Sequence, residues 1–169
     1  MKHRIKALAM DVDGTLTDGS IYISPQGEAM KRFYVRDGQA IRFFLPEMRI
    51  IPIIITGRTS EIVALRCEEL GICHLVQGST DKWQALRDIL AGLDISPEET
   101  AYIGDDVNDL ECMVQVGVCA CPGDADRAVL AQANYVTEAC GGQGAVREFI
   151  EWLRKRNEEE NPDSERDNQ

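Results

Sequence analysis

The sequence predicts an α/β protein: a doubly wound, Rossmann-like parallel sheet with helices on both faces and a projecting β-hairpin. Three observations lead there. Short apolar runs rich in β-branched residues, such as IIPIIIT at 50–56, have the composition of strands buried on both faces. Segments with apolar residues at helical spacing alternate with them, the βαβ pattern of a parallel sheet. Acidic and hydroxyl residues gather where the apolar runs stop, which in doubly wound sheets is where ligands bind.

Each element follows from its residues. IKALAMDV is a strand that opens into the loop Asp11-Val12-Asp13-Gly14. SIYISPQGEAMKRFYVRD holds two β-rich runs around a Pro-Gln-Gly turn and reads as the hairpin. Asp37 is expected to cap a short helix, GQAIRFFL, which Pro46 closes. IIPIIIT follows as a parallel strand, with Pro52 near its start, where a missing donor costs least. Thr59 or Ser60 caps a helix that runs to about Leu70, and Gly71 suits the residue after its end. After the short strand HLV, Thr80 or Asp81 opens a helix whose Trp83, Leu86, Ile89, Leu90 and Leu93 repeat at helical spacing and form core. Ser96 to Glu99 is a capping box with proline at the first helical position, leading into the strand AYIGDD. VCAC, a helix near 124–132, the strand YVT and a last amphipathic helix with Val146, Phe149, Ile150 and Leu153 on one face complete a single domain, residues 1–154. Residues 155–169 have almost no apolar side chains and are expected to be a disordered acidic tail.

Bulk properties exclude several classes of function. A net charge of -11 argues against broad binding to nucleic acid or anionic membranes, so an anionic ligand needs a local cation or a metal. No apolar stretch approaches the roughly 20 residues that span a bilayer, and a cytoplasmic protein is expected. The six cysteines lack paired C-x-x-C spacing and are expected to be reduced thiols. A calcium-loop reading of the Asp-x-Asp-Gly stretch fails: counted from Asp11, the places that need a ligand, a glycine and a glutamate hold Thr15, Leu16 and Tyr22.

The chemistry sits at strand ends. Asp11 and Asp13, Thr56-Gly57-Arg58, Lys82, and Gly104-Asp105-Asp106 with Asp109 all fall at or just past predicted parallel strands and should converge on one crevice. Clustered carboxylates repel, so a hard cation is needed; magnesium takes oxygen ligands from one or two carboxylates plus phosphate and water. Phosphoryl transfer uses this kind of set, in which metal, lysine and hydroxyl surround an in-line path. Asp11 can attack phosphorus, and Asp13, two residues on, can protonate the leaving alcohol and later take a proton from water.

In the order Asp-x-Asp, Ser/Thr, Lys, Gly-Asp-Asp, the chain resembles the haloacid dehalogenase superfamily of phosphohydrolases. The resemblance implies Asp11 as nucleophile, Asp13 as general acid/base, Thr56 and Lys82 as phosphate binders, and Asp11, the Asp13 carbonyl and Asp105 as magnesium ligands, with Asp106 and Asp109 as outer or alternative ligands. Asp11 and Thr56 lie 45 positions apart and Thr56 and Lys82 only 26, so neither gap holds a cap domain. In capless relatives a neighbouring subunit covers the site, so an oligomer is implied. Within that group DVDGTLTDGSIYI, VRDGQAIRFF, IITGR, RCEELGI, HLVQGSTDK, YIGDDVNDL, ANYVT and GGQGAVRE are similar to the 3-deoxy-D-manno-octulosonate 8-phosphate phosphatase family. That family implies hydrolysis of an eight-carbon keto-sugar acid phosphate in bacterial lipopolysaccharide synthesis, by a magnesium-dependent homotetramer whose hairpin and C-terminal segment help build neighbouring sites. Gln143 stands where the family pattern carries arginine, so the resemblance does not extend to an arginine contact from that segment to substrate.

Arg58 and Arg66 are candidates for the phosphate or the sugar carboxylate, since arginine's fork suits both. Arg66 is read with equal weight as a solvated helix-face residue. Arg36 and Asp37 are candidates for action across a subunit boundary, against a plain surface charge and a helix cap. Two rivals are weighed. A signalling receiver domain carries its lysine last, whereas here Lys82 precedes the Gly-Asp-Asp motif. A non-catalytic binding module is disfavoured by the intact acid, hydroxyl and lysine set. A phosphatase for a nine-carbon keto-sugar acid 9-phosphate stays open as an alternative substrate reading.

Overall fold

The computed structural model describes residues 3–160. Six strands form one parallel sheet: β1 (Ala7–Met10), β4 (Ile51–Ile55), β5 (His74–Val76), β6 (Thr100–Ile103), β7 (Val118–Cys121) and β8 (Tyr135–Val136), in the order β5-β4-β1-β6-β7-β8. β1 lies between β4 and β6, in register with both. The chain winds outward from β1 in one direction, returns, and winds outward in the other. The ends of β1 and β6 therefore meet at the topological switch point, where a doubly wound sheet opens a crevice.

Both faces are covered, as an all-parallel sheet requires. Leu8 and Met10 face α1 (Val35–Gln39), α2 (Leu45–Met48), α3 (Glu61–Leu70) and α7 (Ala145–Glu160) in a core with Ile41, Val63, Phe149 and Ile150. Ala7 and Ala9 face the other way, into a core with Ile53, Leu86, Tyr102 and Val129 beneath α4 (Lys82–Leu93), α5 (Leu110–Gln115) and α6 (Arg127–Gln132). Leu86 and Leu90 are fully buried there, while Trp83, Ile89 and Leu93 pack at the margin. All six cysteines are free thiols, four of them buried. Among the described residues, no helix is long and apolar enough to cross a membrane. Ser60 and Asp81 prove to be the caps of α3 and α4, and Gly71 ends α3 in the left-handed conformation.

The hairpin pairs β2 (Tyr22–Ser24) with β3 (Gly27–Met30) outside the main sheet. The helix after it departs from expectation. It begins at Val35, passes through a π-helical stretch (Ala40–Phe44) and ends only at Met48, with Arg49 left-handed at φ 58°. Pro46 does not close it. A proline in an α-helix lacks one donor and its ring crowds the carbonyl four residues back, and the wider π turn just before Pro46 absorbs both faults.

Asp37 also caps a different helix from the one expected. Buried within α1, it accepts from the Arg147 amide at 2.7 Å and so caps the start of α7. Burial pushes its pKa up to about 6, against the pull of the Arg147 amide and of the arginine charges nearby. A raised folded-state value means the native chain holds this proton more tightly than the unfolded chain, so the contribution to stability falls as pH rises from about 4 to about 6. Asp37→Asn keeps the capping acceptor without the buried charge. Thermal melts across that window should give a flatter profile and a variant at least as stable as the parent at pH 7; Asp37→Ala, which loses the cap, should cost about 0.5–2 kcal/mol.

The last helix outruns the expected boundary at 154, continuing to Glu160. Glutamate, lysine and arginine are strong helix formers, so a polar stretch extends a helix already anchored by its apolar face. Asn157 adds a tie, accepting from the Ile5 amide at 3.4 Å, and Arg154 reaches Glu158 at 3.5 Å. Residues 161–169, the rest of the expected tail, lie outside the described residues. Ahead of α7, the glycine segment 141–144 lies directly on the first loop. The Gly142 amide donates to the Thr15 carbonyl at 3.1 Å, and a Cβ on Gly141 would stand 1.8 Å from the Gly14 carbonyl oxygen. Gln143 is exposed.

Candidate active site

Asp11 is the first residue past β1, 5% exposed, with its amide bonded to the Ile103 carbonyl of β6. Beyond it the chain turns tightly, with the amides of Thr15, Leu16 and Thr17 all donating to the Val12 carbonyl. Gly14 makes room for a second acid. Its φ is 99°, and a Cβ there would stand 2.0 Å from the Asp105 carboxylate. Asp105 accepts from the Thr15 hydroxyl at 2.9 Å, which ties the loop after β6 to the loop after β1.

Lys82, at the first position of α4, buries its side chain to 3% exposure and places Nζ 2.7 Å from Asp11 Oδ1 and 2.7 Å from Asp109 Oδ1. Asp109 is fully buried and reaches back across Gly104, where a Cβ would collide with it. Its Oδ1 accepts from Lys82 and from the Tyr102 hydroxyl at 2.6 Å; its Oδ2 accepts from the amides of Asp105 and Asp106 at 3.1 and 3.2 Å. Four donors fill the four acceptor sites of a carboxylate. Asp109 thus serves as the support that aims Lys82 and the Asp105 loop.

Oxygens of Asp11, Asp105 and Asp109 lie within 4.8 Å of one another, with one ammonium among them. The charge balance shows in the direction in which each group is pushed. Burial, then the Asp109 charge, pushes Asp11 up to about 8 despite Lys82, and burial pushes Asp105 up to about 6. Burial would lower Lys82, but the charges of Asp11 and Asp109 outweigh it and its pKa is raised, so the ammonium stays charged. Three carboxylates sharing one cation are short of positive charge, and the oxygens of Asp11 and Asp105 that Lys82 and Thr15 leave open suit a hard divalent ion.

Asp13 turns to the other side of the loop. It forms a close ion pair with Lys31 of the hairpin and lies 3.8 Å from Arg58 Nε. Glu28 of β3 completes this second group, 3.1 Å from Lys31 and 3.5 Å from Arg58, and accepts from the Ser60 hydroxyl. Thr56 is buried one position past β4, the strand beside β1, with its amide on the Val76 carbonyl and its carbonyl taking the Ser79 amide; Gly57 follows, exposed.

The chain thus gathers Asp11, Asp13, Thr56, Arg58, Lys82, Asp105 and Asp109 at one sheet edge. Other candidates stand apart from it. Arg66 pairs with Glu69 at 2.6 Å, stands over the Phe33 ring at 5.6 Å and abuts Gly38, where a Cβ would meet its guanidinium. Arg36 is exposed on α1 and Asp37 caps α7. Asp106 is exposed, its carboxylate taking the Val107 amide at the start of a 3-10 turn. Sequence reasoning did not single out Lys31, Glu28, Thr15 or Tyr102. Lys31 and Glu28 read as ordinary hairpin residues and Tyr102 as strand core, and nothing local marks them otherwise.

A doubly wound sheet that brings Asp-x-Asp, threonine, lysine and Gly-Asp-Asp to its switch point defines a class, and the profile of haloacid dehalogenase-like hydrolases matches residues 51–150. The chain belongs to that family. Within it, the chain is 46% identical over 149 residues to the 3-deoxy-D-manno-octulosonate 8-phosphate phosphatase KdsC of Escherichia coli K12, a match that covers 88% of this chain and 79% of the relative. The phosphatase of the same name from Yersinia pestis has a crystal structure that superposes with a TM-score of 0.88 at 45% identity, over 91% of this chain and 83% of that one. The Moraxella catarrhalis phosphatase, solved in complex with magnesium ion, phosphate ion and a KDO molecule, superposes with a TM-score of 0.86 at 42% identity, over 89% of this chain and 86% of that one.

Proposed function

We propose that this chain hydrolyses 3-deoxy-D-manno-octulosonate 8-phosphate with magnesium, as a step in making lipopolysaccharide precursor in the cytoplasm. The observation that carries the reading is the Lys82 ammonium shared by Asp11 and Asp109 at 2.7 Å each, with Asp105 drawn against Gly14 beside them. The identity to phosphatases of that substrate, over most of the chain, supports the choice of substrate.

In this reading Asp11 attacks phosphorus, the bond from phosphorus to the sugar oxygen breaks, and Asp13 gives its proton to the departing alkoxide. Water then attacks the aspartyl phosphate, Asp13 takes the proton back, and inorganic phosphate leaves with Asp11 restored. Lys82 and the Thr56-Gly57 turn hold the phosphoryl oxygens. Asp11, Asp105 and the Asp13 carbonyl would hold magnesium, which supplies the charge that keeps Asp11 ionised and offsets that of the phosphate. Arg58, half exposed beside Asp13, is assigned to the phosphate or the sugar carboxylate of the substrate; its free side-chain surface supports the reading. Arg66 and Arg36 would meet substrate only through a neighbouring copy, and Asp37, buried as the cap of α7, is left out of the site.

The neighbouring copy follows from what is uncovered. Ile23 at 76%, Met30 at 56%, Val35 at 75% and Leu65 at 66% exposure leave the hairpin and its surroundings apolar and bare, beside a site without a cap. A homotetramer in which these surfaces meet would close the crevice, and light scattering should return the mass of four chains. The substrate test compares kcat/KM for the eight-carbon 8-phosphate, a nine-carbon keto-sugar acid 9-phosphate and a hexose 6-phosphate, with magnesium and with chelator. The eight-carbon ester should lead by at least about tenfold, a difference of about 1.4 kcal/mol in transition-state binding, and activity should vanish with chelator. A lead for the nine-carbon ester would move the assignment to that substrate, and a lead for the hexose ester would end it.

A further inference from the structure

Lys31 is the first residue past β3, a strand whose residues are largely exposed, yet its own side chain is 2% exposed. Lysines are rarely buried so fully unless paired, and the pairing here is double: a close contact to Asp13 Oδ1 and a second to Glu28 Oε1 at 3.1 Å. Glu28 is fixed in turn by the hydroxyl of Ser60, the N-cap of α3, and by Arg58 at 3.5 Å. Two carboxylates and two cations balance, so the group is stable as a unit without a metal. It joins three segments that are otherwise separate: the loop after β1, the hairpin, and the turn between β4 and α3.

We propose that Lys31 is a positioning residue for the acid/base chemistry of Asp13, an inference that rests on the role given to Asp13 above. The donor on Oδ1 fixes the carboxyl plane and leaves Oδ2 as the oxygen that carries and exchanges the proton, with Arg58 Nε 3.8 Å from it. Strands of three and four residues make a hairpin that is marginal alone. Because Lys31 belongs to that hairpin, Asp13 is correctly aimed only while the hairpin lies against the loop. The simpler reading is that Lys31 merely staples the hairpin down, and the two readings differ in which substrates suffer.

A sugar alkoxide must receive a proton as it leaves, whereas p-nitrophenolate leaves without one. The test measures kcat/KM with magnesium for the keto-sugar acid phosphate and for p-nitrophenyl phosphate in Lys31→Met, Lys31→Arg and Asp13→Asn. Lys31→Met should lose on the order of 100-fold on the sugar ester, the lower end of what a general acid supplies, and several-fold at most on the nitrophenyl ester. Lys31→Arg, which keeps charge and donors, should recover most of the sugar-ester rate. Equal losses on both esters overturn the proposal in favour of a staple. Asp13→Asn should show the same bias more strongly. If it shows the bias and Lys31→Met does not, the inference on Lys31 fails alone; if Asp13→Asn shows none, the acid/base reading of Asp13 fails and takes the inference with it. Should Lys31→Met not fold by circular dichroism, Lys31→Ser, which is polar but too short to reach Asp13, replaces it under the same criteria.

Discussion

Asp11→Asn should abolish turnover of every phosphate monoester, with a loss on the order of 10,000-fold or more, because an amide cannot capture the phosphoryl group and no other carboxylate lies where Asp11 does. The fold should survive. Asparagine has the same shape and keeps an oxygen 2.7 Å from Lys82. Stability should report the change in charge as well. With Asp11 raised to about 8 by burial and by Asp109, the native chain holds that proton more tightly than the unfolded one, so without cation the parent loses stability as pH climbs from about 4 to about 8. The asparagine variant should lack that slope. Acid quenching during turnover of a phosphorus-labelled substrate should trap label on the parent protein and none on the variant. Residual activity above about 1% of the parent would remove Asp11 from the role of nucleophile.

Lys82→Ala carries the second large effect, and here the fold suffers together with the chemistry. Its removal strips two buried carboxylates of their shared cation, and breaking a buried ion pair from one side costs about 3–5 kcal/mol. In a chain of this size that corresponds to a fall in melting temperature of about 6–20 °C. Saturating magnesium should restore part of the loss, since a divalent ion supplies the missing charge beside Asp11 and Asp105. Turnover should stay low, because the ion does not replace the ammonium on the phosphate. Melting curves with magnesium and with chelator check this. An unchanged melting temperature in chelator would mean that Asp11 and Asp109 do not depend on Lys82 for their charge balance.

The parts of this molecule that could be read from its sequence are those with a local signature. Strands buried on both faces must be apolar throughout, so ALAM, IPIII and VCAC announce themselves, and in a doubly wound sheet the residues at their ends have nowhere to go but the crevice. That is why Asp11, Lys82 and Asp105, far apart along the chain, could be placed together. Contacts between distant residues that carry no such signature stayed hidden. Asp37 looks like a cap for the residues that follow it, yet caps a helix that begins more than 100 residues later. Tyr102 is indistinguishable from core until its hydroxyl is seen on Asp109. The polar end of α7 reads as tail because composition does not register the helix already anchored before it. Lys31 and Glu28 belong to a hairpin whose pairing is legible while its docking against the first loop is not.

The contact between the glycine segment and the first loop has a consequence for which substitutions the chain can accept. Gly14 and Gly141 meet backbone to backbone, so a methyl group at position 141 would displace the same loop that carries the two leading aspartates. A saturation library screened for growth should therefore score Gly141 as poorly replaceable as the acids themselves, although it lies 130 positions from Asp11 and supplies no chemistry. The two segments are coupled there: drift in the segment before the last helix is limited by what the first loop can tolerate.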